Sequence, residues 1–384
     1  MIILAIETSC DETSVSVLKV KAGDLNILAN IVSSQIKVHR KWGGVVPTLA
    51  KREHQKNLVP VSKRALNEAG LLKRIKNLEY RIQDSKLKKI KEILTREEIL
   101  YKKTEVFLRK YKKPKVDFIA LTTGPGLEPA LWVGVNFARA LSYFWKVPII
   151  PVNHVEAHIF ANFIDRKFRD KGIKNFPILC LSVAGGHTHL VLMRGYGKYR
   201  LIGETRDDTA GECFDKVARM LELGYPGGPI ISKLAKTGDS KSFNFPRPMI
   251  YAKNYDFSFS GLKTAVLYFL KKQKKEVIRK RKNDICSSFQ QAVIDTLVFK
   301  TIRAAKQFKA RNIMLSGGVA ANKELRRQLG EKIKKELPDV NYIMPDIKFC
   351  TDNAVMVAIT AYFKLKTDKT KSWQEVKANA NIKI

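Results

Sequence analysis

The first strands of the chain are predicted from IILAIETSCDETSVSVLKV, residues 2–20. An apolar run over 2–6 ends in a polar turn over 7–13, and alternation of apolar and polar residues resumes over 14–20. An apolar run, a short polar turn and an alternating run together are typical of two paired strands. The sequence therefore predicts strand, tight turn, strand at the start of the chain.

The same three-part pattern returns over residues 177–193, with the turn Ala-Gly-Gly-His at 184–187. Each copy is followed much later by an apolar run that ends in glycine, over 118–126 and 313–319, and then by a helical pattern. The repeat predicts a degenerate duplication of two α/β halves with a cleft between them. Turns that point into such a cleft expose backbone N–H groups, which suit phosphate.

We expect the two halves to span 1–150 and 151–384, with the last helix packing back on the first half. Residues 71–115 look like an insertion, since they carry 16 Lys/Arg against 6 Asp/Glu, no glycine, and apolar residues at helical spacing. A basic α-hairpin or one long amphipathic helix fits this pattern. A shorter basic run covers 271–282. A solvated helical face and a contact with nucleic acid or a protein partner both remain open for each run.

Composition narrows the class of protein. The 384 residues include 71 Lys+Arg and 36 Asp+Glu, a net charge of +35, which attracts polyanions, although a lysine-rich proteome would give the same excess. Five cysteines with no close pairing predict a reduced, cytoplasmic protein without disulfides. No apolar stretch reaches the roughly 18 residues of a membrane span, and Glu7 interrupts the first apolar run too early for a signal peptide.

Histidine is scarce, six in the chain, yet two lie four residues apart in His154-Val-Glu-Ala-His158. On a helix these two side chains are about 40° apart and can bind one ion. Glu156 lies about 200° from His154, which makes a zinc-protease role with Glu156 as base geometrically poor. Asp352, before an apolar helix, is a candidate third ligand of a two-His-one-carboxylate site. Two partly exposed histidines and a helix cap at 352 or 353 are the alternatives.

Glycine turns supply candidate phosphate sites. Gly317-Gly318 leads through Asn322 into a helical pattern, where the helix N-terminus favours an anion. Asp215 could bind ribose hydroxyls, and Gly228 in Tyr-Pro-Gly-Gly-Pro could let a nucleotide approach the backbone. Ordinary turn chemistry explains each of these segments equally well.

Ten ordered motifs together resemble the TsaD family of tRNA N6-adenosine threonylcarbamoyltransferases. They are ETSCDET (7–13), GGVVP (43–47), TGPG (123–126), HVEAH (154–158), AGGHT (184–188), GECFDK (211–216), YPGGP (225–229), FSFSGLK (257–263), SGGVAAN (316–322) and CTDN (350–353). The resemblance implies an actin/hexokinase/Hsp70-like fold. It also implies transfer of a threonylcarbamoyl group from threonylcarbamoyl-AMP to N6 of adenosine 37, in tRNAs that read codons starting with A, with release of AMP.

The resemblance further implies an iron or zinc ion on His154, His158 and Asp352. The adenylate-binding positions it implies are Ser182, Val183, Ala184, Gly185, Gly186, Asp215, Gly228 and Asn322. Its implied partners are tRNA, an inactive paralogue (TsaB-like), a small ATPase (TsaE-like) and a separate synthase that makes the adenylate. Two positions depart from the family pattern: Ala184 stands where serine is usual, and Ala157 stands where glycine is usual.

Asp11, in the first hairpin turn, is our candidate for the group that receives the N6 proton. One rival function is a sugar- or acetate-kinase-like ATPase on the same fold, which leaves the histidine pair unexplained. A second is a non-catalytic tRNA-binding scaffold, which has no need of the histidine pair and Asp352.

Overall fold

The computed structural model describes residues 1–75, 84–164, 176–367 and 370–384. The chain divides into two compact units, the first formed by Met1–His39, Val45–Ile164 and Asp352–Ile384, and the second by Arg40–Gly44 and Asp165–Thr351. Residues 151–164 and 352–384 thus belong to the first unit. The domain limits predicted from the sequence, 1–150 and 151–384, stay a prediction.

The elements of the first unit open with three strands, continue with four helices, and then alternate between strand and helix. They are β1 (Ile2–Glu7), β2 (Glu12–Lys21), β3 (Asp24–Ser34), α1 (Ile36–His39), α2 (Pro47–Glu68), α3 (Asp84–Ile93), α4 (Glu98–Lys110), β4 (Phe118–Gly124), α5 (Glu128–Trp145), β5 (Ile149–Asn153) and α6 (His154–Phe160), followed by a 3₁₀ turn at Ala161–Ile164.

The described elements of the second unit likewise open with three strands, continue with five helices, and end in strand, helix and strand. They are β6 (Ile178–Val183), β7 (Thr188–Gly195), β8 (Lys198–Glu204), α7 (Ala210–Met220), α8 (Gly227–Ala235), α9 (Ser260–Lys272), α10 (Lys275–Lys280), α11 (Lys282–Gln307), β9 (Asn312–Ser316), α12 (Lys323–Glu336) and β10 (Asn341–Ile343). The last helix, α13 (Ala354–Lys364), returns to the first unit and contacts β1 and β2.

The two sheets have the same topology. The first has the order β3-β2-β1-β4-β5. The second, read from its other edge, has the order β8-β7-β6-β9-β10, so each strand of one sheet has a counterpart at the same place in the other. In each sheet the opening strand pairs antiparallel with its hairpin partner and parallel with a later strand, as β1 does with β2 and β4, and β6 with β7 and β9. The duplication predicted from the two hairpins is present in this pairing.

Parallel pairing concentrates polar groups at one edge of the first sheet. Strands β1, β4 and β5 are parallel neighbours, so their carboxyl ends meet at the same edge, and α6 begins directly after β5. Ile3, Leu4 and Ala5 of β1 are fully buried, as expected for a central strand covered on both faces. The sheet therefore holds the end of β1 and the start of α6 in fixed positions.

The predicted insertion is helical where it is described. Helices α3 and α4 lie within it and pack on α5 and α2, with Leu87, Ile90, Leu100 and Phe107 buried in the core of the first unit. Residues 76–83 of the predicted insertion lie outside the described residues. Across the described parts of the chain, no helix combines the length and apolar character needed to cross a bilayer.

Candidate active site

Helix α6 carries the histidine pair and begins directly after Asn153, near which Pro148 and Pro151 in the sequence favour a helix start. Asn153 ends β5 and caps the helix, because its side-chain oxygen accepts hydrogen bonds from the backbone N–H of Val155 (2.9 Å) and Glu156 (3.2 Å). His154 is the first helical residue and His158 follows one turn later. The cap and the helical spacing together direct both imidazoles to one side of α6.

Three potential ligand atoms converge within the first unit. Asp352 Oδ1 lies 3.1 Å from His158 Nε2 and 3.6 Å from His154 Nε2, and the two imidazole nitrogens are 3.2 Å apart. His154 and His158 are 8% and 1% exposed. Asn353, the next residue, caps α13 through its side-chain oxygen, so the cap and the clustered carboxylate are neighbouring residues. Among the described residues, this is the one group of His, Cys, Asp or Glu side chains close enough to hold a metal ion.

The spacing of these atoms fits one small divalent ion. At metal–ligand distances of about 2.0–2.1 Å, two ligand atoms lie about 3.0 Å apart at right angles and about 3.4 Å apart in a tetrahedron. Two of the observed separations, 3.1 and 3.2 Å, lie in that range, and the third, 3.6 Å, is slightly wider. Two imidazole nitrogens and one carboxylate suit iron, zinc or manganese and leave coordination positions open.

Glu7, at the carboxyl end of β1, orients His154. His154 Nδ1 lies 3.2 Å from Glu7 Oε2 and 3.1 Å from Ser9 Oγ, and its N–H donates to the Glu7 carboxylate, which turns Nε2 toward Asp352 and His158. Glu7 is itself fully buried and accepts hydrogen bonds from Thr122 Oγ1 (2.5 Å) and the Ser9 backbone N–H (2.6 Å). A carboxylate that positions an imidazole in this way is a common second layer of a metal centre.

In this cluster the carboxylates of Glu7 and Asp352 stabilise the charged form of His154, and the histidines stabilise the charged carboxylates. Burial lowers the pKa of His154, but the neighbouring carboxylates of Asp352 and Glu7 outweigh burial and raise this pKa to about 9. Burial raises the pKa of Asp352, whereas His154 and His158 lower it to about 2, and His154 likewise lowers the pKa of Glu7 against the effect of burial. The carboxylates therefore stay ionised at neutral pH, as a cation site requires.

Glu156 takes no part in this cluster. Its carboxylate is buried and lies 3.7 Å from Lys364 Nζ of α13. A glutamate base for metal-assisted proteolysis would have to face the ligand atoms. The position of Glu156 agrees with the helix geometry that made a protease role poor from the sequence.

The first hairpin turn, which contains Asp11, is held by a buried histidine of α2. His54 Nε2–H donates to the carbonyl of Cys10 at 2.9 Å, and its Nδ1 lies 2.8 Å from Thr13 Oγ1. Burial lowers the pKa of His54 to about 4, so the ring is neutral and can make both bonds. Asp11 is 8% exposed in this turn. Burial and the carboxylate of Asp11 raise the pKa of Glu12 well above its usual range.

The second hairpin turn is bonded to the start of α7. The backbone N–H of Ala184 donates to the carbonyl of His187 (2.8 Å), and the hydroxyl of Thr209 donates to the carbonyl of Gly185 (2.7 Å). Ser182 is buried, with its hydroxyl 2.8 Å from His187 Nε2. The expected adenylate-binding run Ser182, Val183, Ala184, Gly185, Gly186 thus forms the end of β6 and a braced turn.

Several glycines of the second unit have no packing reason to be glycine. A Cβ built on Gly185, Gly186 or Gly318 would meet no atom within 4 Å, and one on Gly228 would only just touch Phe214 at 4.0 Å. None of these four has a positive φ. Open space beside unstrained glycine backbone is what a closely approaching ligand needs.

Two expected adenylate residues also have structural duties. Asp215 Oδ1 accepts a hydrogen bond from the Gly227 N–H at 2.7 Å and so fixes the loop that leads to Gly228. The side-chain oxygen of Asn322 caps α12 by accepting from the N–H groups of Glu324 and Leu325. Asp215 and Asn322 therefore stabilise the local structure of the second unit as well as being expected to bind the adenylate.

Comparison with known proteins identifies the family. The family model "TsaD: tRNA N6-adenosine threonylcarbamoyltransferase" matches residues 26–77 and 104–359. The chain is 43% identical over its whole length to the tRNA N6-adenosine threonylcarbamoyltransferase of Thermosipho africanus, covering 100% of both chains. It is 42% identical to the same-named enzyme of Persephonella marina, covering 100% of this chain and 96% of that one.

The chain belongs to the TsaD family. The prediction from the ten motifs is confirmed, and with it an acyltransferase that forms N6-threonylcarbamoyladenosine in tRNA.

Solved structures agree with the fold expected for TsaD. A full-length HypF in its phosphate- and nucleotide-bound form superposes with a TM-score of 0.54 at 12% identity, covering 97% of this chain and 47% of HypF. The HypF of T. kodakarensis gives 0.52 at 14% identity, covering 95% and 47%. This chain thus spans about half the length of HypF. At such identities the likeness concerns the fold alone, the two-unit actin/hexokinase/Hsp70-like α/β class.

Sequence reasoning on this TsaD chain missed two positions that support the site. Glu7 is the first residue of the motif ETSCDET, but the sequence alone assigned it no role. An acidic residue that ends a buried strand is a recognisable signal of a polar site. His54 gave no local signal, because its partners Cys10 and Thr13 are about forty residues away in the chain. Both became evident only from side-chain contacts.

Proposed function

We propose that this chain transfers the threonylcarbamoyl group of threonylcarbamoyl-AMP to N6 of adenosine 37 in tRNAs reading codons that start with A, and releases AMP. The observation that carries the proposal is the convergence of His154, His158 and Asp352 at 3.1–3.6 Å in a chain of the TsaD family. A kinase-like ATPase would have no use for two imidazoles at this spacing.

His154, His158 and Asp352 would hold one divalent ion, Fe²⁺ in the first place and Zn²⁺ as the alternative. When bound, such an ion acts as a Lewis acid that draws electron density from a carbonyl or phosphoryl oxygen. Glu7 keeps His154 in the tautomer whose Nε2 lone pair faces this ion.

The adenylate would lie against the second hairpin turn. The open space beside Gly185, Gly186 and Gly228 supports close approach of a phosphate to the turn formed by Ser182 to Gly186, with Gly228 and Asn322 as the other contacts. Asp215 would bind a ribose hydroxyl. Ala184 supplies no hydroxyl to this turn, where serine is usual in the family.

The chemistry is acyl transfer to a weak nucleophile. The N6 amine forms a bond to the carbamoyl carbon, the bond from that carbon to the phosphate oxygen breaks, and AMP leaves with the electron pair. A mixed anhydride is reactive enough that the enzyme mainly supplies position and charge stabilisation. Asp11 accepts the proton that N6 loses. We expect Asp11→Asn to lower the single-turnover rate at least tenfold, roughly in line with loss of a general base. Full rate in this variant would contradict the role.

The partners expected for this reaction are tRNA, a TsaB-like inactive paralogue, a TsaE-like ATPase and an upstream synthase that makes threonylcarbamoyl-AMP. Exposed lysines of α3 in the insertion, such as Lys86, Lys88 and Lys91, would add contacts to the tRNA backbone. All of these reactants and partners are cytoplasmic, and the cysteine pattern agrees with that location.

The test is reconstitution of the modification. The chain, the expected partners and the synthase are incubated with threonine, bicarbonate, ATP and a transcribed tRNA with adenosine 37, and the nucleosides are analysed by mass. We expect N6-threonylcarbamoyladenosine with the wild type and at least a hundredfold less with His154→Ala. A folded wild type that forms none, or a His154→Ala variant that forms as much, would refute the proposal.

A further inference from the structure

One exposed surface of the second unit has no role in the site described above. Helix α9 buries Leu262, Val266 and Leu270 on its inner side, so its outer side presents Tyr268, which is 59% exposed. Lys271 and Lys272, three and four residues after Tyr268, are exposed on the last turn of α9, and the basic residues of the short helix α10 that follows are exposed as well. We call this surface the α9–α10 face, and it consists of Tyr268, Lys271, Lys272, Lys274, Lys275, Arg279 and Lys280.

The α9–α10 face carries uncompensated positive charge. Its six cations are exposed, and within the described residues none of them is in an ion pair, whereas Glu276 is the one acidic residue of 271–282. Arg281, at the edge of the run, differs because it pairs with Asp284 at 2.6 Å and lies 5.0 Å from the ring centre of Phe243. Like charges held this close repel one another, and a polyanion would relieve that repulsion.

Helix α9 connects this face to the expected adenylate site. Lys263, in its first turn, pairs with Asp208 at 2.6 Å, and the neighbouring Thr209 donates to the carbonyl of Gly185. The helix ends at Lys272, twelve residues after Ser260, which is a rise of about 18 Å. That distance is about five phosphates along one strand of a duplex, at roughly 3.4 Å each.

We propose that the α9–α10 face binds the sugar–phosphate backbone of the tRNA substrate while the modified adenosine is in the site. The inference rests on the proposed function. Five lysines and one arginine form this face, and lysine binds phosphate as a point charge without reading bases. Tyr268, three and four residues before Lys271 and Lys272, offers a ring on which an unpaired base or a ribose can stack. The net charge favours RNA over a protein partner.

The test compares two variants with the same change in charge. The first is K271Q/K272Q/K274Q/K275Q. The matched control is K233Q/K236Q/K334Q/K335Q. Lys233 lies on α8, Lys236 follows the end of α8, and Lys334 and Lys335 lie on α12. All four are exposed and, among the described residues, have no ion pair. Binding of a transcribed tRNA that reads a codon starting with A is measured from 50 to 200 mM salt.

If four phosphate contacts are lost, the slope of log affinity against log salt falls by about 3. Between 50 and 200 mM salt the wild type then loses about 60-fold more affinity than the variant. The control keeps the wild-type slope within about 1. Y268A lowers tRNA affinity about fivefold or more with little change in slope, as loss of a stacked base does.

An unchanged salt slope in the first variant would overturn the proposal and would indicate that the α9–α10 face binds a protein partner. An equal fall of the slope in both variants would also overturn it. Wild-type binding of tRNA and the nucleoside analysis are recorded separately. Failure of the proposed function would therefore appear as an absent modified nucleoside, whereas failure of this surface would appear as an unchanged slope.

Discussion

Replacement of Glu7 by glutamine tests the metal centre through a residue that does not touch the ion. The carboxylate accepts the Nδ1–H of His154 at 3.2 Å on one oxygen and the Ser9 N–H at 2.6 Å on the other. A glutamine has one acceptor oxygen and one NH₂ group. Whichever way it is oriented, a donor therefore faces a donor in a site that excludes water.

The magnitude follows from these two orientations. With NH₂ toward Ser9, the glutamine NH₂ and the Ser9 backbone N–H face each other as two donors in the core. With NH₂ toward His154, a donor faces the Nδ1–H that the carboxylate accepts, so the imidazole loses the contact that orients Nε2 toward Asp352 and His158. In both orientations the negative charge of Glu7 beside His154 is also lost. Loss of such a second-layer carboxylate usually weakens metal affinity about 10- to 100-fold, and we expect the upper end, about 2.7 kcal/mol.

The assay is competition for Zn²⁺ between the protein and a chromophoric chelator at pH 7.5, which needs no enzymatic activity. Glu156→Gln is the matched control, because Glu156 is also a buried carboxylate, lies on α6 between the two histidines, and faces Lys364. We expect this control to change Zn²⁺ affinity by less than about threefold. Thermal unfolding of each metal-free variant shows whether the first unit remains folded.

Zn²⁺ affinity of Glu7→Gln within threefold of the wild type would refute the view that Glu7 orients His154. Equal losses in both variants would show that any lost buried carboxylate disturbs the site. A loss confined to Glu7→Gln, with both variants folded, is the result that the geometry predicts.

Three further predictions concern other parts of the molecule. Burial lowers the pKa of His54 to about 4, below its usual 6.5, so the unfolded chain binds a proton more readily and stability falls as the pH falls below about 6.5. In urea unfolding between pH 7.5 and 5, the wild type should lose about 2 kcal/mol more of its free energy of unfolding than His54→Gln. Parallel pH curves for the two proteins would contradict this. A Cβ at Gly211 would lie 2.6 Å from the carbonyl oxygen of Ala184, so Gly211→Ala should weaken AMP binding in calorimetry at least tenfold, and unchanged binding would argue against an adenylate at this turn. Replacing the exposed α3 lysines Lys86, Lys88 and Lys91 by glutamine should flatten the salt dependence of tRNA binding by about 2, whereas an unchanged slope would indicate a solvated face.

The structure also changes how the insertion is tested. Deletion of residues 71–115 as a unit would not test their charges alone. Because Leu87, Ile90, Leu100 and Phe107 of this segment are buried in the core of the first unit, deletion would remove core contacts together with the charges. Substitution of exposed lysines separates the two effects.

Local patterns allowed most of the fold to be predicted. The β1–β2 and β6–β7 hairpins, the cap at Asn153 and the shared side of His154 and His158 depend on residues that are near one another in the chain. Strand alternation and the helical repeat act over such short distances, so a single sequence reveals them. Asp352 was found as a candidate because it stands beside a recognisable helix start.

The sequence by itself determined the duplicated α/β plan, the family and the three residue types of the cluster. The approach of Asp352 to within 3.1 Å of a histidine almost two hundred residues earlier is seen only in the folded chain, as are the contact of Glu7 with His154 and that of His54 with the first hairpin turn. The physical reason is that parallel strand pairing and the return of α13 join segments whose separation in the chain carries no periodic signal. Propensity and spacing report which groups a segment offers, whereas packing decides which groups meet.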